Sequence, residues 1–408
     1  MEKITLFNVC KFELSLKKEL IIKNNKVCKR EGLLINIKTT SGLSGFGEIS
    51  PLPFFHSESL DDAKLQIREL RQSRFFLEKV ESLFKYVSSY NPLFYLENTV
   101  LKLSEKESMH EAFYRIISGF LIKLDSIFYG IRIYPSVRAG IEMALISLMF
   151  FDFKFEKFIK SMQDPTLQVC GLITDLKKGL KKEILEVILN EFSAVKIKVG
   201  RDLIEKEIES IKKIKMLILQ NQKNTISLRI DANGLWDIDE AVFFGKAIGL
   251  GLIEYIEDPV GNISEYERFY NETRVPVALD EKLLDLIDLN KIIDGKERWP
   301  DYVKAIIIKP DFIGGFFKTA CLINFAKKNG IKPVLSNSFN SSLLVSFIAL
   351  FAEMMDIGDV AIGLDTLKFF SRNLLEEDIE IAKGRLNILK IYENIKKINF
   401  DLIDSESL

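Results

Sequence analysis

The chain predicts an α/β fold, a (β/α)8-type barrel joined to a separate N-terminal α+β domain, and three observations lead there. From about residue 166 to residue 364 near-continuous apolar runs alternate with amphipathic helical patterns, the signature of a parallel sheet covered on both faces. Five of those runs carry a lysine or an acid at their ends: SAVKIKV at Lys198, ISLRID at Asp231, LIEYIE at Glu257, VALDE at Asp280 and VKAIIIK at Lys309. Their intervals of 33, 26, 23 and 29 residues each hold one strand, one helix and two loops. The first hundred residues differ, with two long strand-like runs and a glycine-rich stretch before helical periodicity begins.

Taken in order, ITLFNVCKFEL and GLLINIKTT read as strands. SGLSGFGEISPLP, with Gly42, Gly45 and Gly47, reads as a turn-rich stretch. Helical patterns follow from Asp61 to about Leu124, broken at Asn91-Pro92. Pro135 opens the helical run PSVRAGIEMALISLMFFD, which leads into the barrel. LQVCGLI is the expected first barrel strand, IKPVLS the seventh and GDVAIGL the eighth, with LIEKEIESIKKIKMLILQ and IDEAVFFGKAIGL among the intervening helices. The tail from Ser371, including NILKIYENIKKINF, is expected to pack back on the N-terminal domain, and Asp404–Leu408 to fray. The expected units are 1–134, with a long helical insert over about 65–131, then 135–370 for the barrel and 371–408 for the tail.

Composition narrows the function. Lys and Arg at 57 against Asp and Glu at 58 leave a net charge of −1, without the basic footprint of a nucleic-acid or anionic-membrane binder. The 31 phenylalanines supply a large core. Cys10, Cys28, Cys170 and Cys321 lie far apart without a CxxC pair and read as buried thiols in a reducing compartment. With only His56 and His110, histidine-based triads and metal sites are excluded. His56, beside PLPFF, is expected at the surface, with lining a lid as the alternative. The N-terminus lacks a long apolar core, and the apolar stretches at 144–151 and 343–355 are too short to span a bilayer, so no membrane partner and a cytoplasmic location are expected. Oligomeric state is not fixed by any of this.

A barrel delivers every strand end to one C-terminal mouth. Asp231, Glu257 and Asp280 would converge there as an all-oxygen cage of the kind Mg²⁺ prefers, with Mn²⁺ a possible substitute. Lys196 and Lys198 project to one side of their strand and Ile197 to the other. A lysine serves as a base only with a depressed pKa, and a nearby cation or second ammonium depresses it. Lys309 faces them across the mouth, where Pro310 stops its strand and Gly314-Gly315 let the backbone approach a ligand. Arg229 shares the face of Asp231 and would orient or neutralise a carboxylate, while alternation sends Asp258 to the opposite face. Ser336–Ser342 (SNSFNSS) precedes an apolar helix, so its groups either cap that helix or hold a carboxylate. Singly, each residue has an ordinary structural explanation. Three acids at consecutive strand ends are harder to explain that way.

Together these residues resemble the enolase superfamily, and within it the o-succinylbenzoate synthase family of the menaquinone pathway. GFGEISPLPFFHSESLDDA is similar to that family's GEIAPLPGFSQET capping-domain loop, and PSVRAGIEMAL to the helix leading into its barrel. KIKVG, RIDANGLW, IEDP, LDE, IIIKP, LSNSFNSSL and GLDTL follow in order. The resemblance implies a modified TIM barrel with an N-terminal capping domain, and a small-molecule carboxylate as substrate. It implies Asp231, Glu257 and Asp280 as Mg²⁺ ligands, Lys198 as general base and Lys309 as the stabiliser of an enediolate. Lys196, Arg229 and Asn233 would support them, and Phe55, Ser336, Asn337, Ser338, Gly363 and Leu364 would contact substrate. The chain departs from the family at Phe54 (Gly there), His56 (Ser), Asn337 (Ser) and Asn340 (Glu). The related alternatives are N-acylamino acid racemase and dipeptide epimerase. The latter carries an Asp-x-Asp pair after the eighth strand, where this chain has Asp365 alone. A non-catalytic barrel is disfavoured because buried charges without function are costly.

Overall fold

A computed structural model describes residues 3–23, 25–90, 109–150, 156, 159–160, 165–174, 176, 180–221, 226–293 and 299–407. The N-terminal sheet is antiparallel, in the order β14 (Ile403–Ser407), β1 (Ile4–Ile22), β2 (Asn25–Thr39), β3 (Ser44–Ile49). The helices Leu60–Gln72, Arg74–Tyr90 and Met109–Ser126 follow it in sequence. Ser59 caps the first of these reciprocally with Asp62, so the chain leaves the sheet at a defined point. The break expected at Asn91-Pro92 lies outside the described residues.

Two expectations for this part fail for physical reasons. The Gly45 and Gly47 stretch belongs to strand β3, not to a turn. Both glycines face the helix Pro135–Phe150, and an added Cβ would lie 2.1 Å from the Ala144 carbonyl oxygen at Gly45 and 2.0 Å from that of Gly140 at Gly47. Glycine here permits close packing of a helix on a sheet. Gly47→Ala should therefore cost about 2–3 kcal/mol, read as a lower urea midpoint at unchanged m-value. Of the residues expected to fray, Asp404–Ser407 instead belong to β14, which pairs with β1 and sets Ser407 opposite Cys10, while Leu408 lies outside the described residues. Alternation was too short there to announce a strand.

The second sheet is parallel, in the order β5 (Cys170–Ile173), β6 (Ala194–Lys198), β7 (Ser227–Asp231), β8 (Tyr255–Glu257), β9 (Val277–Leu279), β10 (Val303–Ile308), β11 (Lys332–Leu335). LQVCGLI is divided: its first part, β4 (Thr166–Gln168), joins β12 (Ile381–Ala382) and β13 (Arg385–Asn387) in a small antiparallel sheet. The eighth run closes the ring through isolated bridges only. Ile362 donates its N–H to Gln168 O (3.0 Å) and accepts from Cys170 N (2.8 Å), while Gly363 N–H reaches Leu335 O at 2.8 Å. This barrel fold places β6 and β10 at the second and sixth of eight positions, on opposite sides of one mouth.

Apolar side chains of the N-terminal domain, the barrel and the tail, from Val9 to Ile398, form one continuous cluster. Arg30, buried in β2, donates to the carbonyls of Ser50 (2.5 Å), Pro51 (3.1 Å) and Phe339 (2.9 Å), tying the N-terminal domain to the loop after β11. No helix among the described residues is long and apolar enough to cross a membrane. Of the four thiols expected to be buried, Cys170 is, Cys10 and Cys321 are partly so, and Cys28 is exposed.

Candidate active site

Strand register brings the polar strand ends together. Lys198 pairs with Asp231 across β6 and β7, and Asp231 with Glu257 across β7 and β8, so three functional positions sit at one level of the barrel. Asp280 follows β9 directly. Carboxylate oxygens of Asp231, Glu257 and Asp280, all buried, lie within 4.8 Å of one another. The turn after β7 holds its own carboxylate: Asn233 takes φ 50°, a conformation asparagine tolerates, and its N–H donates to Asp231 Oδ1 at 3.0 Å. The Asn233 side chain then accepts from Lys198 Nζ at 3.0 Å.

Lys196 sits among the acids, with its Nζ 2.5 Å from Glu257 Oε2, 2.9 Å from Asp231 Oδ2 and 3.9 Å from Asp280 Oδ2. Asp231 Oδ2 also lies 3.2 Å from Lys198 Nζ, yet receives no well-directed hydrogen bond. Lys309 donates to both oxygens of Asp280, at 2.6 and 2.8 Å. Its ammonium lies 4.7 Å from the centre of the Phe55 ring.

The electrostatics follow from crowding. Burial and the charges of Asp231 and Asp280 push the Glu257 carboxyl up to about 7 against the pull of Lys196. At Asp231, Lys196 and Lys198 outweigh burial and hold the carboxyl below its ordinary range. Burial also lowers Lys198 below the usual lysine value, helped by the charges of Lys196, Arg201 and Lys309 and opposed by Asp231. Lys196 and Lys309 go the other way, raised against burial by their carboxylate partners. Three carboxylates this close repel one another, and the cluster offers oxygen donors alone with one Asp231 oxygen lacking a directed donor. That donor set fits a hard divalent cation.

A cavity of about 440 Å³ opens over the cluster. Of the expected contact residues, Phe55, Ser336, Asn337, Ser338 and Gly363 line it. Leu364 does not, because its side chain is buried in the apolar core. Arg229 reaches Glu254 (2.9 Å) and the Ala361 carbonyl (2.6 Å) rather than any of the three acids. It does orient a carboxylate, but Glu254's. Asn337 donates to Gly363 O at 3.0 Å, and Asn340 to Ser50 and Asp311 at 3.0 Å each, so these groups of the Ser/Asn loop brace neighbouring loops.

Several contributions escaped the sequence. Ile21, Ile22 and Lys23, at the end of the β1–β2 hairpin, overhang the cavity. Asp258, expected to face away, turns back at φ 39° and accepts from Asp280 N (3.2 Å), Glu281 N (2.8 Å) and Tyr266 OH (3.1 Å), fixing the turn that carries Asp280. His56, expected at the surface, has its side chain buried beside Asp311. Phe54 adopts φ 65° in the left-handed region where glycine is favoured, which matches the glycine of the similar family loop and strains this chain locally.

Comparison with known proteins agrees with this architecture. Residues 1–88 match the model of the MenC N-terminal domain, and residues 179–390 match the Enolase C-terminal domain-like family. Over 380 residues the chain is 27% identical to the o-succinylbenzoate synthase of Vibrio cholerae serotype O1 (strain M66-2), covering 92% of each. It is 28% identical over 417 residues to protein PHYLLO, chloroplastic, of Arabidopsis thaliana, spanning 92% of this chain but only 22% of that much longer relative. The crystal structure of MenC from Desulfotalea psychrophila LSv54 superposes with a TM-score of 0.64 at 19% identity, covering 93% of this chain and 99% of that one, which is a likeness of fold. With the Enolase C-terminal domain-like model covering just over half of its length and a MenC-type domain at its start, the chain belongs to the enolase superfamily.

Proposed function

We propose that this enzyme is an o-succinylbenzoate synthase, converting 2-succinyl-6-hydroxy-2,4-cyclohexadiene-1-carboxylate to o-succinylbenzoate and water on the way to menaquinone in the cytoplasm. The observation that carries the reading is the placement of Lys198, with its lowered pKa, opposite Lys309 across a carboxylate-lined cavity. The curated synthase from Vibrio cholerae and the MenC-type N-terminal domain support the substrate.

Asp231, Glu257 and Asp280 would hold Mg²⁺, which when bound neutralises charge that builds on the substrate carboxylate. Lys198, its pKa lowered by burial and the neighbouring cations and its side chain aligned by Asn233, takes the proton from the ring carbon bearing the carboxylate in its neutral form. The protonated Lys198 then returns it to the departing hydroxyl, so water leaves from the same face and the ring becomes aromatic. Lys309, kept charged by Asp280, stabilises the anion from the other side.

The dipeptide epimerase alternative needs a free acid after the eighth strand. Asp365 is committed, accepting from Leu172 N at 2.9 Å and Lys368 Nζ at 2.5 Å. The direct test supplies the hydroxycyclohexadiene carboxylate to purified protein with and without Mg²⁺ and follows the diene absorbance. Loss is expected with Mg²⁺ alone. Unchanged absorbance, alongside α-proton exchange of N-succinyl amino acids in D₂O, would transfer the assignment to the racemase.

A further inference from the structure

The loop of residues 51–56 reaches from the N-terminal domain to the barrel mouth, and one contact at its end is built from buried polar groups. His56 Nδ1 accepts the Leu52 N–H at 2.9 Å, which leaves the proton of the neutral ring on Nε2. That nitrogen lies 3.4 Å from Asp311 Oδ2 without a well-directed hydrogen bond to it or to any other described group, with both side chains almost fully buried at 1% exposure, so the carboxylate is its one ionic neighbour. Asp311 belongs to the short turn of helix Pro310–Ile313, directly after Lys309. Its carboxylate also accepts from Ser338 Oγ (3.2 Å) and Asn340 Nδ2 (3.0 Å), so its position is fixed from the barrel side. Phe55 adjoins this contact, its ring edge-to-face with His56 at 5.4 Å between centroids. Its ring packs on Phe312 at 4.7 Å between centroids and covers the Lys309 ammonium at 4.7 Å.

We propose that His56 and Asp311 form a latch that seats Phe55 on Lys309, making His56 a positioning residue for that lysine. The chain on both sides of the latch supports this. His56 N–H and Phe55 N–H both return to Leu52 O, at 3.1 and 3.2 Å, so the histidine and the phenylalanine belong to one compact turn closed on Leu52. Phe54, at φ 65°, is a strained position within that turn. With the latch closed, Phe55 shields one side of Lys309 from water and limits the directions its ammonium can take. The role assigned to Lys309 rests on the reading under Proposed function. The latch itself is a statement about loop and lysine that needs no substrate.

The test measures the reactivity of Lys309 in the intact protein without ligand. Reductive methylation with formaldehyde and cyanoborohydride, followed by peptide mass spectrometry, gives the labelling rate of Lys309 relative to the exposed Lys304 on the same strand. His56→Phe, which keeps the ring packing and removes the Leu52 hydrogen bond and the Asp311 contact, is expected to raise that ratio at least about threefold. Phe55→Ala should raise it to the same extent, and the double variant no further, because both act through one shield. His56→Gln, which retains an amide donor for Asp311, should restore most of the native ratio. An unchanged ratio in a folded His56→Phe protein would overturn the latch, as would effects that multiply in the double variant. The dehydration assay is run alongside: if labelling behaves as expected but no dehydration occurs with native protein, the latch stands and the substrate assignment falls.

Discussion

Lys198→Ala is expected to lose dehydration and α-proton exchange together, by about 100- to 10,000-fold in kcat, the range that removal of a positioned general base produces. Both reactions begin with removal of the same proton, so one missing base stops both. Substrate binding should change less, because the carboxylate cage and Lys309 remain. Lys198→Arg is the informative companion: it keeps a positive charge among Asp231 and Asn233 but cannot become neutral at any working pH, so it should be nearly as inactive as the alanine variant. The sign of the pH dependence follows. A base must be deprotonated, so kcat/KM should rise with pH and level off once Lys198 is neutral. Burial and the neighbouring cations lower that lysine, which places the rise below the 10.5 of an ordinary lysine. A rise centred at or above 10.5, or an alanine variant that still exchanges the α-proton, removes Lys198 from the role.

The strand ends were legible because parallel register translates spacing into position. Once Lys198, Asp231 and Glu257 each end a strand, neighbouring pairs must meet, as they do across β6, β7 and β8. What was not legible depends on partners hundreds of residues away. Nothing local to His56 announces that Asp311 will lie beside it, and a histidine next to prolines reads as surface. The glycines of β3 look like turn residues until the helix Pro135–Phe150 arrives to fill the space their side chains would occupy. Arg229 lies on the expected strand, but Glu254, at the foot of the next strand, captures it before it reaches the acids at the mouth. Leu364 stays out of the cavity for a subtler reason: bridges at Ile362 and Gly363 close the barrel so briefly that strand alternation gives no guide to the next side chain.

Asp280→Asn should weaken metal-dependent stabilisation and activity in parallel. Addition of Mg²⁺ to the native protein is expected to raise Tm, because an ion that binds the folded state alone stabilises it by mass action. Asp280 supplies one of three negative charges to the cage and also fixes Lys309 through two hydrogen bonds, so asparagine removes a ligand charge and loosens the opposing lysine in one step. Loss of a ligand should weaken the ion at least as much as loss of a supporting group, about 10- to 100-fold, which calorimetric titration resolves without any substrate. Lys304→Ala provides the control: it lies on the same strand as Lys309 but faces solvent, and should leave both titration and Tm shift as in the native protein. Because Glu257 is pushed up by burial and by its acidic neighbours while Lys196 stands among them, a bound cation must compete with that ammonium as well as with protons. Lys196→Met should accordingly tighten Mg²⁺ in the titration while leaving the Asp280→Asn defect in place. If Asp280→Asn instead keeps the native Mg²⁺ affinity and Tm shift, the ion binds elsewhere, and the three carboxylates serve only to anchor the lysines.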